Sequence, residues 1–176
     1  MRDRYVVDTN VLIAASAADP VTPADIAATP TDPALRLAVW QWLDAFERSE
    51  SRFVFDTENR IWDEYNNKLG YTDFGIQVVM SKWSKCAVDS VVVDYDEHGH
   101  GELPATLASV IHDLADRKMV AAALVSHTEF GEGCVAFAGD TDWHDWEENL
   151  LAHDILLEPI IEAWSRAKHA EKHAKK

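Results

Sequence analysis

The chain has 176 residues, 47% of them hydrophobic and 27% charged, with 31 acids against 16 bases and a net charge of −15. That length suits one domain able to bury its own core. The acidic total argues against a protein that coats nucleic acid through a broad basic face, but leaves open an enzyme with a local basic strip or a surface adapted to salt.

Two cysteines, Cys86 and Cys134, stand far apart without metal or redox spacing. They read as buried small hydrophobes in a reducing cytoplasm. Near the N-terminus, Arg2 and Arg4 precede an apolar run, and Ala14-Ala15-Ser16-Ala17-Ala18 imitates a cleavage site. Asp8 and Asn10 interrupt that run, which a secretory signal would keep continuous. No stretch reaches the roughly 20 apolar residues of a membrane span, so a cytoplasmic protein without membrane contact is expected.

In chain order, residues 4–7 read as a buried strand and 10–18 as a helix that Asn10 is placed to cap. Residues 19–33 hold four of the six prolines and read as an irregular excursion. Residues 34–48 form a helix with Leu37, Trp40, Leu43 and Phe46 near one side. A second strand, 52–57, precedes helices at 58–68 and 73–86. A third strand, 90–95, stops at the polar loop 96–102. A short helix at 104–111 and a stronger one at 114–127 follow, then a strand at 134–140, a helix at 142–152, a strand at 155–159 and a helix from 160. Residues 166–176 read as a solvated, fraying basic tail. Strands without clean alternation, each followed by helices, predict an α/β fold with a parallel sheet covered on both faces.

In such folds, sites form beyond the carboxyl ends of the strands. Those ends carry Asp8, Asp56, Asp94 with Asp96, and Asp140 with Asp142. Taken singly, Asp8, Asp56 and Asp142 also serve as helix caps. Asp116 is different: Met119, Val120, Ala123 and Leu124 lie three, four, seven and eight residues on, so its carboxylate falls on an apolar stripe. The competing role is a capping turn with Asp113. Several inward acids without matching inward cations suggest a hard divalent ion held by oxygen ligands.

These residues resemble the PIN-domain family of metal-dependent ribonucleases. "VVDTNVLI" (6–13) resembles that family's opening motif. "TENRIWDEYNNKL" (57–69) resembles its second block, with Glu64 on the helical acid. "DLADRKMVAAAL" (113–124) resembles the third with Asp116, "AGDTDW" (138–143) the fourth with Asp140 and Asp142, and "ILLEPIIEAW" (155–164) the closing strand and helix. The resemblance runs in order through nearly the whole chain. Two features depart from it. Ala138 stands where the family usually carries Thr or Ser. Helical geometry also puts Glu58 nearer the inward face than Glu64, although an acid in a first turn suits the helix dipole anyway.

The resemblance implies a PIN-like domain over residues 1–165, a three-layer sandwich with four or five parallel strands in the order 3-2-1-4-5. It implies hydrolysis of RNA phosphodiesters to 5′-phosphate and 3′-hydroxyl ends. Asp8, Glu64, Asp116 and Asp140 would be the catalytic acids holding one or two Mg²⁺ or Mn²⁺ ions, with Asp142 assisting as a ligand and Asn10 orienting Asp8 or a water. Arg60, Lys68, Arg117 and Lys118 are candidates to line the substrate path; each is also an ordinary solvated charge. His98, His100 and His144 read as solvated polar residues. A toxin of a toxin–antitoxin pair, homodimeric and silenced by a small antitoxin, is the expected context. The alternative is a PIN-like module that has lost catalysis and binds or regulates.

Overall fold

The computed structural model describes residues 1–175. Strands β1 (Arg4–Val7), β2 (Arg52–Asp56), β3 (Val88–Val91), β4 (Gly133–Phe137) and β5 (Ile155–Pro159) form one sheet in the order β3-β2-β1-β4-β5. Every pairing is parallel, with Tyr5 opposite Phe53, Val7 opposite Ala136, Asp56 opposite Val91 and Val135 opposite Leu157. Helices α1 (Thr9–Ala17), α2 (Pro33–Arg48), α3 (Arg60–Lys68), α4 (Phe74–Ser84), α5 (Ala105–Ala108), α6 (Arg117–Phe130), α7 (Trp143–Leu151) and α8 (Glu162–Ala174) complete a three-layer α/β/α sandwich. The expected fold class and strand order both hold.

The central strands are apolar on both faces: Tyr5, Val6, Val7, Phe53, Val54, Phe55 and all of β4 are buried, as a covered parallel sheet requires. Aromatic rings cluster against the sheet, Phe46 meeting Phe53 edge to face with centroids 4.9 Å apart and planes at 83° while Trp42 stacks on Phe46. Asp32 caps α2 by accepting the N–H groups of Ala34 and Leu35, with Pro33 in the first turn. Gly75 allows α4 to cross α1 closely, since a Cβ there would lie 2.7 Å from that of Leu12.

Several expectations need correction. Asp8, not Asn10, is the N-cap of α1. The buried stripe of α2 is Val39, Leu43 and Phe46, while Leu37 is 40% exposed. Strand β3 starts and ends earlier than expected, because its cross-sheet partners on β2 run out at Asp56. Helix α6 starts at Arg117, three residues late, after a turn closed by Asp113. Residues 166–174, expected to fray, continue α8, whose last turns bond to α7; Lys176 lies outside the described residues. Cys134 is buried as expected, but Cys86 is exposed. Among the described residues no helix is long and apolar enough to cross a membrane.

Candidate functional site

The strand order reverses between β1 and β4, and such a switch point is where parallel sheets open a crevice. Asp8 follows β1 there, its backbone N–H still donating to Ala136 O of β4 at 2.8 Å. Asp140 follows β4. Asp116 arrives from the head of α6, which packs across β1, β2 and β4. Chain connectivity alone therefore brings three distant carboxylates to one end of the sheet.

Asp8 is 3% exposed. It accepts Asn10 N–H at 3.2 Å and the Trp143 indole N–H at 3.3 Å. Those bonds lower its pKa, but burial, then the Asp140 carboxylate and Glu64, push it up to about 7. Asp116 is half-buried at the N-cap position of α6, yet its side chain caps nothing, so the capping turn weighed against it is not made. Burial, then Asp8, Asp113, Asp140 and Glu64, push its carboxyl up to about 9. Asp140 is raised as well, by burial and the neighbouring Asp142 and Asp113, against the Asp142 N–H bond at 2.9 Å that favours its charge. Among the described residues no Lys or Arg pairs with Asp8, Asp116 or Asp140.

The flanking acids are handled differently. Glu64, not Glu58, faces the cluster. It accepts the buried Thr9 hydroxyl and pairs with Lys118 at 2.5 Å. Glu58 points out and pairs with Arg60. Asp142 pairs with Lys172 on α8. Asn10 contributes its backbone N–H to Asp8.

Of the other strand-end acids, Asp56 is a cap, receiving the N–H groups of Arg60 and Ile61, both at 2.9 Å. Asp96 closes its own loop on the His98 and His100 N–H groups, which with the His100 ring hold its carboxyl down to about 2. The Arg117 guanidinium folds back on its own chain, donating to the carbonyls of Ile111 and Ala108 and stapling the preceding turn. Arg60, Lys68 and Lys118 instead line a cavity of about 360 Å³ with Glu64, Asp63 and Asn67.

Two positioning residues escaped the sequence reading. They are Trp143, on Asp8, and Thr9, on Glu64. Gly139 escaped too. A Cβ there would lie 2.3 Å from Thr29 O, so the proline-rich excursion rests directly on the loop that presents Asp140.

Buried, mutually repelling carboxylates without a paired Lys or Arg are the oxygen donors that Mg²⁺ or Mn²⁺ takes. The acids share a field without forming a closed shell. The three donors that do lie within 4.8 Å of one another, among the described residues, are elsewhere. No protein family, curated protein or solved structure matched this chain.

Proposed function

We propose that this chain is a PIN-type endoribonuclease dependent on Mg²⁺ or Mn²⁺, with Asp8, Asp116 and Asp140 holding the metal, Glu64 beside them and Asp142 at the rim. One observation carries the proposal: three acids from separate elements converge at one end of the sheet with no Lys or Arg paired to any of them, two of them with carboxyls pushed to about 7 and about 9. Such an arrangement costs stability, and it becomes favourable when a doubly charged ion enters. Bound there, the metal would lower the pKa of water and offset charge building on a phosphodiester.

The chain's own residues do the rest. Trp143 and the Asn10 N–H fix Asp8 in one orientation. Thr9 holds Glu64 toward the cluster. Arg60, Lys68 and Lys118, gathered beside Glu64, supply a place for backbone phosphates of RNA. A homodimer and a small antitoxin covering the acids belong to the same proposal and rest on the resemblance.

The test is cleavage of RNA. Wild type should cut with Mn²⁺ and stop with EDTA; Asp8→Asn and Asp116→Asn should stay folded and fail to cut. Cleavage that persists in EDTA or in both variants sinks the proposal.

A catalytically silent binding module is the second reading. It is favoured by the fully buried Ala138 in place of a hydroxyl and by the lysines already seated on Glu64 and Asp142. It predicts RNA retention without cleavage at any Mn²⁺ concentration.

A further inference from the structure

We propose that Asp145 of α7 with His169 and His173 of α8 forms a second cation site, one for a zinc-class transition metal, that staples the C-terminal helix to the body of the fold. His169 and His173 are four residues apart and share one helix face. Both turn Nε2 to the same oxygen, Asp145 Oδ1, at 2.7 and 2.8 Å. All three donor atoms lie within 4.8 Å of one another, and the two imidazole rings sit 4.4 Å apart, centroid to centroid.

A tetrahedral ion sets its ligands about 2.0–2.1 Å from itself and so about 3.3 Å from each other. The two histidine–Asp145 separations need open by only about half an ångström to match that spacing. Two imidazoles and one carboxylate select Zn²⁺, Co²⁺, Ni²⁺ or Cu²⁺ over Mg²⁺. The side chains of Asp145, His169 and His173 are 33%, 26% and 44% exposed, which leaves an entry path and a water position.

Hydrogen bonding alone leaves two donors crowded on one oxygen. A third histidine packs against them. The His144 side chain, expected to be solvated, is only 3% exposed. Its Nε2 meets Ser165 Oγ at 2.9 Å, its Nδ1 lies 3.7 Å from Glu147 Oε2, and its ring is 5.5 Å from that of His169.

The site does not depend on the nuclease proposal, but it touches the same region. Lys172, between the two histidines on α8, is the residue that holds Asp142, and Asp142 in turn donates its N–H to Asp140. An ion on Asp145, His169 and His173 would keep Lys172 in place at the rim of the acidic cluster.

The experiment uses the full chain without an affinity tag, in excess Mg²⁺ to occupy the oxygen-only cluster. Zn²⁺ is titrated by calorimetry and Co²⁺ by visible absorption. One saturable Zn²⁺ per chain and the strong visible bands of four-coordinate Co²⁺ are expected. Asp8→Asn should keep both, while His169→Gln and His173→Gln should each weaken binding at least about tenfold. Wild-type imidazole NMR gives an answer without any substitution: the ring signals of His169 and His173 should move on adding Zn²⁺. Absence of saturable binding, equal binding in the His169→Gln/His173→Gln double variant, or unmoved ring signals would overturn the proposal.

Discussion

The two ends of the sheet treat buried charge in opposite ways. At the amino ends of the strands, Arg4 and Arg52 both reach Asp89 at 2.8 Å. Burial alone would raise the Asp89 carboxyl, but the two guanidinium groups hold it below its ordinary range. Lys82 is fully buried there, yet its ammonium donates to Ser49 O and Ser51 O at 2.8 and 2.7 Å and lies over the Phe46 ring. At the carboxyl ends, Asp8, Asp116 and Asp140 are pushed up by burial and by neighbouring carboxylates, and no Lys or Arg is paired with any of them; Lys172, seated on Asp142, only tempers Asp140. The same chain gives each of these amino-end charges a partner, and at the carboxyl ends it pairs the flanking Glu64 and Asp142 with Lys118 and Lys172 but leaves the central three acids unpaired. The unpaired state of Asp8, Asp116 and Asp140 is therefore particular to those three acids and not a general failure of pairing at that end.

The comparison breaks first at catalysis. Asp8→Asn or Asp116→Asn should lower Mn²⁺-dependent RNA cleavage on the order of 1,000-fold, the scale of losing a principal electrostatic contributor, while circular dichroism stays native. Cleavage within tenfold of wild type would remove the acids from the mechanism.

The next test is pH. An acid whose folded pKa exceeds its unfolded value binds its proton more tightly when folded. Its contribution to stability is full in acid and is lost as pH rises through the folded pKa. For Asp8 that loss runs from the ordinary 3.8 to about 7 and amounts to at most about 4 kcal/mol; for Asp116 it runs on to about 9. Metal-free thermal unfolding should therefore weaken from mildly acidic to mildly alkaline pH, and Mn²⁺ should flatten the curve most at the alkaline end. Asp89, shifted the opposite way, loses its contribution as pH falls. A metal-free unfolding temperature that rises steadily from pH 5 to pH 9 would contradict the account.

Removing Lys82 attacks the paired end. Lys82→Ala strips two buried carbonyls of their donor and opens a cavity against Phe46, costing about 3 kcal/mol by chemical denaturation. A smaller effect carries the sharpest contrast. Asp116→Asn should raise the stability of the metal-free protein by about 1 kcal/mol or more, whereas Asp89→Asn should lower it by about 1–2 kcal/mol by weakening its hold on two guanidinium groups. Two changes of equal chemistry would then have opposite signs. If both destabilise, the two ends are alike and the comparison fails. Smallest of all, Glu58→Gln should leave cleavage within about twofold, since Glu58 faces solvent beside Arg60.

Much of this was legible because strands buried on both faces must stop somewhere polar, and connectivity decides where. "YVVD" and "CVAFAGD" announce their own carboxyl ends, and the i, i+3, i+4 stripe after Asp116 turns that acid inward. Other features depend on facts that spacing does not encode. Periodicity favoured Glu58; the outcome at Glu64 turns on Thr9 reaching across from α1. A guanidinium near a helix start can face solvent or fold back, and Arg117 folds back. The tail looked soluble and loose, although Ala, Lys and Glu are strong helix formers and a histidine pair at i, i+4 marks a possible docking face. Trp143 is indistinguishable from the other six tryptophans until its indole N–H is seen on Asp8.

The central claim is that the acidic end of the sheet is held partly protonated and exchanges those protons for a divalent cation. Calorimetric titration with Mn²⁺ at pH 7.5, repeated in buffers of different ionisation enthalpy, counts the protons released on binding. Wild type should bind Mn²⁺ and release about one proton or more, and Asp116→Asn should bind more weakly with that release reduced. Binding that releases no proton and is indifferent to Asp116→Asn, or no binding at all, would contradict the account.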